Sequence, residues 1–271
     1  MTRTISVADL QALKGRRQIL TMHVDDAKEA AAAAEAGIEA FTCEVDEQLP
    51  RIRSAAPRTF IQAAHRQGEL HDESSAIREG FRALELGASC IYFAGSLRLV
   101  ETMAKEGIPV TGHVGLVPRW STWTNYRSVG KTPEEAADIY RRVKDYERAG
   151  AWAVEIEVVP VDVARWITES TSLLTLGMGC GSACDAQYLF SCDVLGTDSS
   201  RMPRHGKQYA NLAAEEARLQ RLRVDAFQAF ASEVRSGRYP ERRHEVHVEP
   251  SVVDAAKRLL SQAGPSGVFS Q

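Results

Sequence analysis

The sequence predicts an α/β fold, a (β/α)8 TIM barrel with extra C-terminal helices. Short apolar runs rich in β-branched or aromatic residues alternate with longer charged segments of helical period. The helical segments end at glycine, as at Gly37, Gly87 and Gly150. The chain of 271 residues carries no low-complexity linker, and one barrel commonly fills such a length as a single unit.

Strands are predicted at 18–23, 40–45, 59–64, 89–94, 109–114, 153–158, 173–178 and 188–194. Eight parallel strands separated by helices close into a barrel. Residues 25–36, almost solid alanine and acid, form the first of these helices. The helix at 73–86 follows an Asp72 cap, and that at 133–148 has Thr132 as cap and Pro133 in the first helical position. After the eighth strand the rhythm changes: 212–237 reads as one long charged helix and 252–263 as another. We therefore assign 1–250 to a single barrel domain that includes the long helix, and 251–271 to a helical extension. The long helix carries Leu219, Leu222, Val224, Phe227 and Phe230. It closes the barrel bottom or packs on a neighbouring subunit, and a homo-oligomer is expected.

Lys and Arg number 33 against 36 Asp and Glu, a net charge of -3, and there is no long basic run. That argues against nucleic acid, and no stretch approaches the ~18 consecutive apolar residues of a membrane span. A small-molecule substrate is the expected partner. The N-terminal stretch lacks the apolar segment of a signal peptide, so a cytoplasmic location is expected. The five cysteines, at 43, 90, 180, 184 and 192, form neither a disulfide framework nor a metal pair and read as reduced, buried thiols.

Barrel chemistry lies at the C-terminal ends of the strands. The candidates there are His23, Asp25 and Asp26; Cys43, Glu44 and Asp46; His65 and Arg66; Tyr92 and Ser96; His113 and Arg119; Glu155 and Glu157; and the loop from Gly177 to Asp185. His113 is flanked by Gly112 and Gly115, which would let a ligand approach the backbone. Glu157 ends an apolar strand, where a carboxylate is costly unless paired or used.

These residues resemble the ketopantoate hydroxymethyltransferase family of the phosphoenolpyruvate mutase and isocitrate lyase superfamily, whose members move a hydroxymethyl group from methylenetetrahydrofolate to 2-oxoisovalerate. The likeness runs from about Thr4 to Glu249. It is carried by GIPVTGHVGL at 107–116, YRSVGK at 126–131, AVEIEVVP at 153–160, TLGMGCG at 175–181, CDAQ at 184–187, DVLG at 193–196 and the segment 203–212. The resemblance implies that Glu157 is the acid/base catalyst and His113 the histidine near the substrate. It also implies that Asp185 and the Gly179 and Gly181 backbone approach the ligand. The family's three Mg²⁺ ligands fall on Val45, on Ala63 or Ala64, and on Ala94, and its substrate-contacting lysine falls on Tyr92.

From those replacements we expect no tightly bound cofactor and no metal ligand, with Mg²⁺ unlikely and methylenetetrahydrofolate a candidate co-substrate. An ion held instead by Glu44, Asp46, His65 and His23 is the alternative. Without a metal, donors from His65, Arg66, Tyr92, Ser96, His113 and Arg119 would stabilise a developing oxyanion. The expected function is a metal-independent, aldol-type enzyme of specialised metabolism that forms or cleaves a C–C bond next to the carbonyl of a 2-oxo acid. Its catalytic residues are Glu157 and His113, and its substrate-binding residues are Glu44, His65, Tyr92, Ser96, Arg119, Gly179, Gly181 and Asp185. Trp120 and Trp123 suit a larger, flatter substrate or cover an interface. The competing reading is a non-catalytic paralogue that serves as a binding or scaffold subunit.

Overall fold

A computed structural model describes residues 3–66, 68–198 and 202–262. Its sheet is a closed barrel of eight parallel strands in sequence order. They are β1 (Ile19–His23), β2 (Ala40–Glu44), β3 (Phe60–Ala64), β4 (Cys90–Tyr92), β5 (Val110–Gly115), β6 (Ala153–Glu157), β7 (Leu174–Met178) and β8 (Ala186–Phe190). The barrel closes where β1 pairs with β8, Ile19 opposite Ala186 and His23 opposite Phe190.

The helices form where cap and composition agree. Asp26 accepts from the backbone of Lys28 and Glu29 to start Ala27–Glu35, Asp72 caps Glu73–Glu85, and Thr132 caps Pro133–Arg148. One predicted strand is corrected. The segment 188–194 is not all strand, because β8 begins two residues earlier and Ser191–Leu195 turns into a short helix ending at Gly196. β1 offers only five residues for β8 to pair with, so the chain beyond Phe190 has no sheet partner.

Alternation along the strands separates two cores. Outward side chains such as Phe41, Ile61, Ile91, Val154 and Ile156 pack under the helices. Inward side chains at the N-terminal end, Ile19, Phe60, Trp152, Leu174 and Leu176, fill the barrel with Leu10 among them. The next inward layers toward the C-terminal end are polar: Thr42, Gln62, Thr111, His113 and Glu155 are all buried. Buried polar groups cost free energy unless they are satisfied, so this switch marks where the interior stops being only a core.

The flanking glycines serve packing, which corrects the expectation that they admit a ligand. A Cβ on Gly112 would lie 2.5 Å from the Tyr146 ring, and one on Gly115 would lie 2.2 Å from the Glu157 carbonyl oxygen.

The chain forms two compact units, one reaching Ala213 and the other starting at Ala214, whereas the sequence alone placed the division after residue 250. The second unit holds most of the 24-residue helix Leu212–Arg235 and the helix Pro250–Gln262. Within it Phe230 meets Tyr239 edge-on at 5.5 Å, and Leu222, Phe227 and Leu260 are exposed. Among the described residues no helix is long and apolar enough to cross a membrane.

Candidate active site

A cavity of about 310 Å³ opens at the C-terminal end of the strands, lined by His23, Glu44, Tyr92, His113, Glu155 and Glu157 among others. His113 is at its centre, projecting inward from β5 with a side chain only 1% exposed. Its Nδ1 lies 2.7 Å from the Tyr92 hydroxyl and 3.3 Å from Glu155 Oε2, while Nε2 lies 3.2 Å from Glu157 Oε2. Strand register brings these groups together: His113 is directly opposite Glu155, and Gly115 opposite Glu157, on adjacent strands. Behind them Gln62 Nε2 donates to Glu155 Oε1 at 2.6 Å.

Burial alone would lower the His113 pKa, but the close negative charges of Glu155 and Glu157 outweigh it and raise the value to about 9. The ring is therefore an imidazolium at neutral pH. The contact of Nε2 with Glu157 has an ion-pair distance but lies off hydrogen-bond direction, so that buried N–H keeps an unused hydrogen bond. Burial beside the same carboxylates raises the Tyr92 pKa, and its phenol stays protonated. With Nδ1–H donating to the Tyr92 oxygen, the Tyr92 O–H is left to donate into the cavity.

A second chain of contacts runs down the other wall. Tyr188 Oη lies 2.8 Å from Thr42 Oγ1, which lies 3.0 Å from His23 Nδ1, and His23 stacks on Phe190 at 4.5 Å. Glu44 is exposed at the rim, where partial desolvation raises its pKa with a smaller push from Asp46, against the pull of His23 and Arg66.

Of the residues expected to bind substrate, Glu44 and Tyr92 line this cavity with His113 and Glu157. His65, Ser96 and Arg119 line an adjoining cavity of about 350 Å³, which shares Tyr92 and Pro118 with the first. Gly179 and Gly181 are not brought to the centre. They border a separate recess with Arg204 and His205, and a Cβ on Gly179 would lie 3.2 Å from the His205 ring.

Asp185 is corrected outright. It precedes β8 at the N-terminal end of the barrel, where it accepts from Lys14 Nζ at 2.7 Å and from the Thr175 backbone and hydroxyl at 2.9 Å each. Its carboxylate joins strands and the N-terminal segment. Sequence reasoning passed over Gln62, Thr42 and Tyr188 as site residues. The alternation Ala186, Tyr188, Phe190 was the available signal for the last, obscured by placing β8 two residues late.

A carboxylate beside a buried imidazolium, at the C-terminal end of the barrel strands, is an arrangement suited to moving protons in a barrel enzyme. The comparisons with known proteins agree. Residues 47–242 match the ketopantoate hydroxymethyltransferase family model. The 3-methyl-2-oxobutanoate hydroxymethyltransferase of Thermotoga neapolitana is 31% identical over 89% of this chain and 96% of that protein. Its counterpart in Chloroflexus aurantiacus is 33% identical over 79% of this chain and 70% of its own. The chain belongs to the ketopantoate hydroxymethyltransferase family and is an enzyme acting on C–C bonds. That sets aside the scaffold reading. Among solved structures, 2,3-dimethylmalate lyase, a PEP mutase/isocitrate lyase superfamily member, shares the fold with a TM-score of 0.50 at 12% identity, covering 95% of this chain and 99% of that one. Phosphonopyruvate hydrolase does so with 0.50 at 13%, covering 95% and 98%.

Family membership also overturns the expectation that Mg²⁺ is unlikely. Mg²⁺ belongs to the chemistry of this family. Three replaced positions do not remove the ion from consideration. They do not supply its ligands either: Ala64, not Ala63, faces the cavity, Val45 packs into the outer core, and Ala94 borders the adjoining cavity. Among the described residues no three His, Cys, Asp or Glu side chains are grouped to hold an ion. The described residues do not reproduce a ligand set for the ion.

Proposed function

We propose that this protein catalyses aldol-type hydroxymethyl transfer, forming or cleaving a C–C bond next to the carbonyl of a 2-oxo acid. The observation that supports it most is the buried His113 imidazolium between Glu155 and Glu157, with Tyr92 bonded to it at the cavity wall. In this reading the Glu157 carboxylate takes a proton from the carbon next to the carbonyl, and the electron pair moves into an enolate. The enolate oxygen accepts from the Tyr92 O–H, which the imidazolium polarises through Nδ1–H. The enolate pair then re-forms the carbonyl as the carbon attacks a one-carbon C=O or C=N electrophile, whose π pair moves to its heteroatom and takes up the proton held by Glu157, and reversal of these steps cleaves the product.

Glu157 also borders a cavity on its other side, lined by Tyr126, Lys131, Arg204 and His205, which suits entry of the hydroxymethyl donor. Tyr92 in the place of the family's lysine supports an acceptor other than 2-oxoisovalerate and a role in specialised metabolism. The five cysteines are unpaired thiols, in keeping with the cytoplasm. The exposed Phe227 and Phe230 suit contact with another copy of the chain.

Exchange of the substrate proton with solvent tests the reaction. With 2-oxo acids in D2O, Glu157→Gln keeps the shape and lowers the exchange rate at least ~10²-fold while ligand binding persists. Equal specific exchange in the variant would remove Glu157 from the mechanism.

A further inference from the structure

The cavity adjoining the catalytic one has a chemistry that hydroxymethyl transfer leaves unused. His65, Arg66, His71 and Arg119 line it, above a floor of Leu70, Phe93 and Leu99. Of the acids nearby, Glu44 feels the charge of Arg66 without pairing with it, and the two beside the cavity are already engaged. Glu69 Oε2 lies 3.1 Å from His65 Nδ1 and accepts from the Arg66 backbone at 3.2 Å, while Glu73 pairs with Arg98 at 2.6 Å. His71 has only an exposed contact with Asp72 at 3.6 Å. Neither guanidinium, of Arg66 or of Arg119, has a carboxylate within ion-pair distance among the described residues.

Arg119 is steadied by donating to the Ala94 carbonyl at 3.4 Å and by lying 5.5 Å from the centre of the Trp120 ring. Its fork is thus partly ordered before any ligand arrives. Two unpaired guanidiniums beside an apolar floor match a chain of methylenes ending in a carboxylate. Tyr92 and Pro118 line both cavities, so one molecule can occupy the two at once.

We infer that the second cavity is a subsite for a distal carboxylate, which makes the acceptor a 2-oxo diacid with its keto group under Tyr92 and its far end between Arg66 and Arg119. This rests on the proposed reaction only for the position of the keto group. Titration calorimetry on the full chain, with 2-oxoadipate and the equally long monoacid 2-oxohexanoate, reads the subsite independently of turnover. The diacid binds at least about tenfold more tightly, and added salt narrows the gap. In the double variant R66Q/R119Q, its fold checked by circular dichroism, the preference disappears.

Equal affinities in the native protein, no binding of either acid, or a preference that survives in the double variant would each overturn the subsite. Deuterium exchange on the same two acids separates the readings. Tighter diacid binding without exchange from either acid removes the proposed reaction and keeps the subsite, whereas exchange from both with equal affinity does the reverse.

Discussion

Removing the ring of His113 by His113→Gln perturbs the site at its electrostatic centre. In the native protein the two carboxylates raise the imidazole from 6.5 to about 9. At roughly 1.4 kcal/mol per unit, that displacement is worth on the order of 3 kcal/mol of folding stability. The sign follows from proton linkage. A group whose pKa is higher in the folded state contributes fully below its unfolded value and loses that contribution as pH rises through the folded value. Native stability therefore declines between about pH 6.5 and 9. In the variant the cation is gone and Glu155 and Glu157 face one another across a buried gap. Breaking such a pair costs about 3–5 kcal/mol, less whatever a carboxylate recovers by taking up a proton.

Urea unfolding at a series of pH values measures this directly. Tryptophan fluorescence reports the barrel alone, because Trp120, Trp123, Trp152 and Trp166 all precede Ala214. The native and variant curves should converge as pH rises to about 9, since only the native protein loses the imidazolium contribution. The buried Cys43 thiol, pushed up to about 12, adds its own decline only at higher pH, and it does so in both proteins. Parallel curves across the window, or a native stability that does not change there, would refute the imidazolium.

Gly115→Ala sets a Cβ 2.2 Å from the Glu157 carbonyl at a backbone φ of 88°, so melting temperature and exchange rate should both fall, the rate by about tenfold or more. Tyr92→Phe deletes the donor assigned to the enolate oxygen, and steady-state exchange kinetics should show kcat lowered by about 10²-fold with KM nearly unchanged. Asp185→Asn breaks the ion pair with Lys14 and should cost stability by about 3 kcal/mol in urea, with the exchange rate per folded molecule unchanged.

The barrel was legible because its signals are local. Asp72 and Thr132 cap the helices predicted from them, and the starts and ends of the first seven strands fall within about two residues of the apolar runs. Glu157 and His113 were legible as polar residues in apolar strands. Their partnership was not, since it depends on which residues of β5 and β6 lie side by side, and a one-residue slip would turn His113 away. Asp185 shows the converse. Its motif suggested a ligand contact, but the segment it begins enters the barrel at the N-terminal end, and distance along the sequence from Gly181 gave no sign of that. Arg66 and Arg119, 53 positions apart in the chain, line one cavity because β4 alone separates the strands that their loops follow.

The peptide after Glu157 shows how the backbone fixes a carboxylate that borders two cavities. Val158 has a φ of 51°, a left-handed conformation that a β-branched residue adopts at a cost of about 1–3 kcal/mol. Its N–H donates to the Met178 carbonyl at 2.7 Å, and its own carbonyl accepts from the Ser128 hydroxyl at 2.8 Å. The Glu157 carbonyl meanwhile accepts from the Leu116 N–H at 2.9 Å. Three neighbours from three segments therefore hold the turn, and Gly115 leaves the space that the Glu157 carbonyl occupies. An unstrained residue at Val158 would let β6 continue as extended chain past the rim. The left-handed turn ends the strand at Glu157, so its carboxylate is held at the edge between the two cavities and within reach of His113.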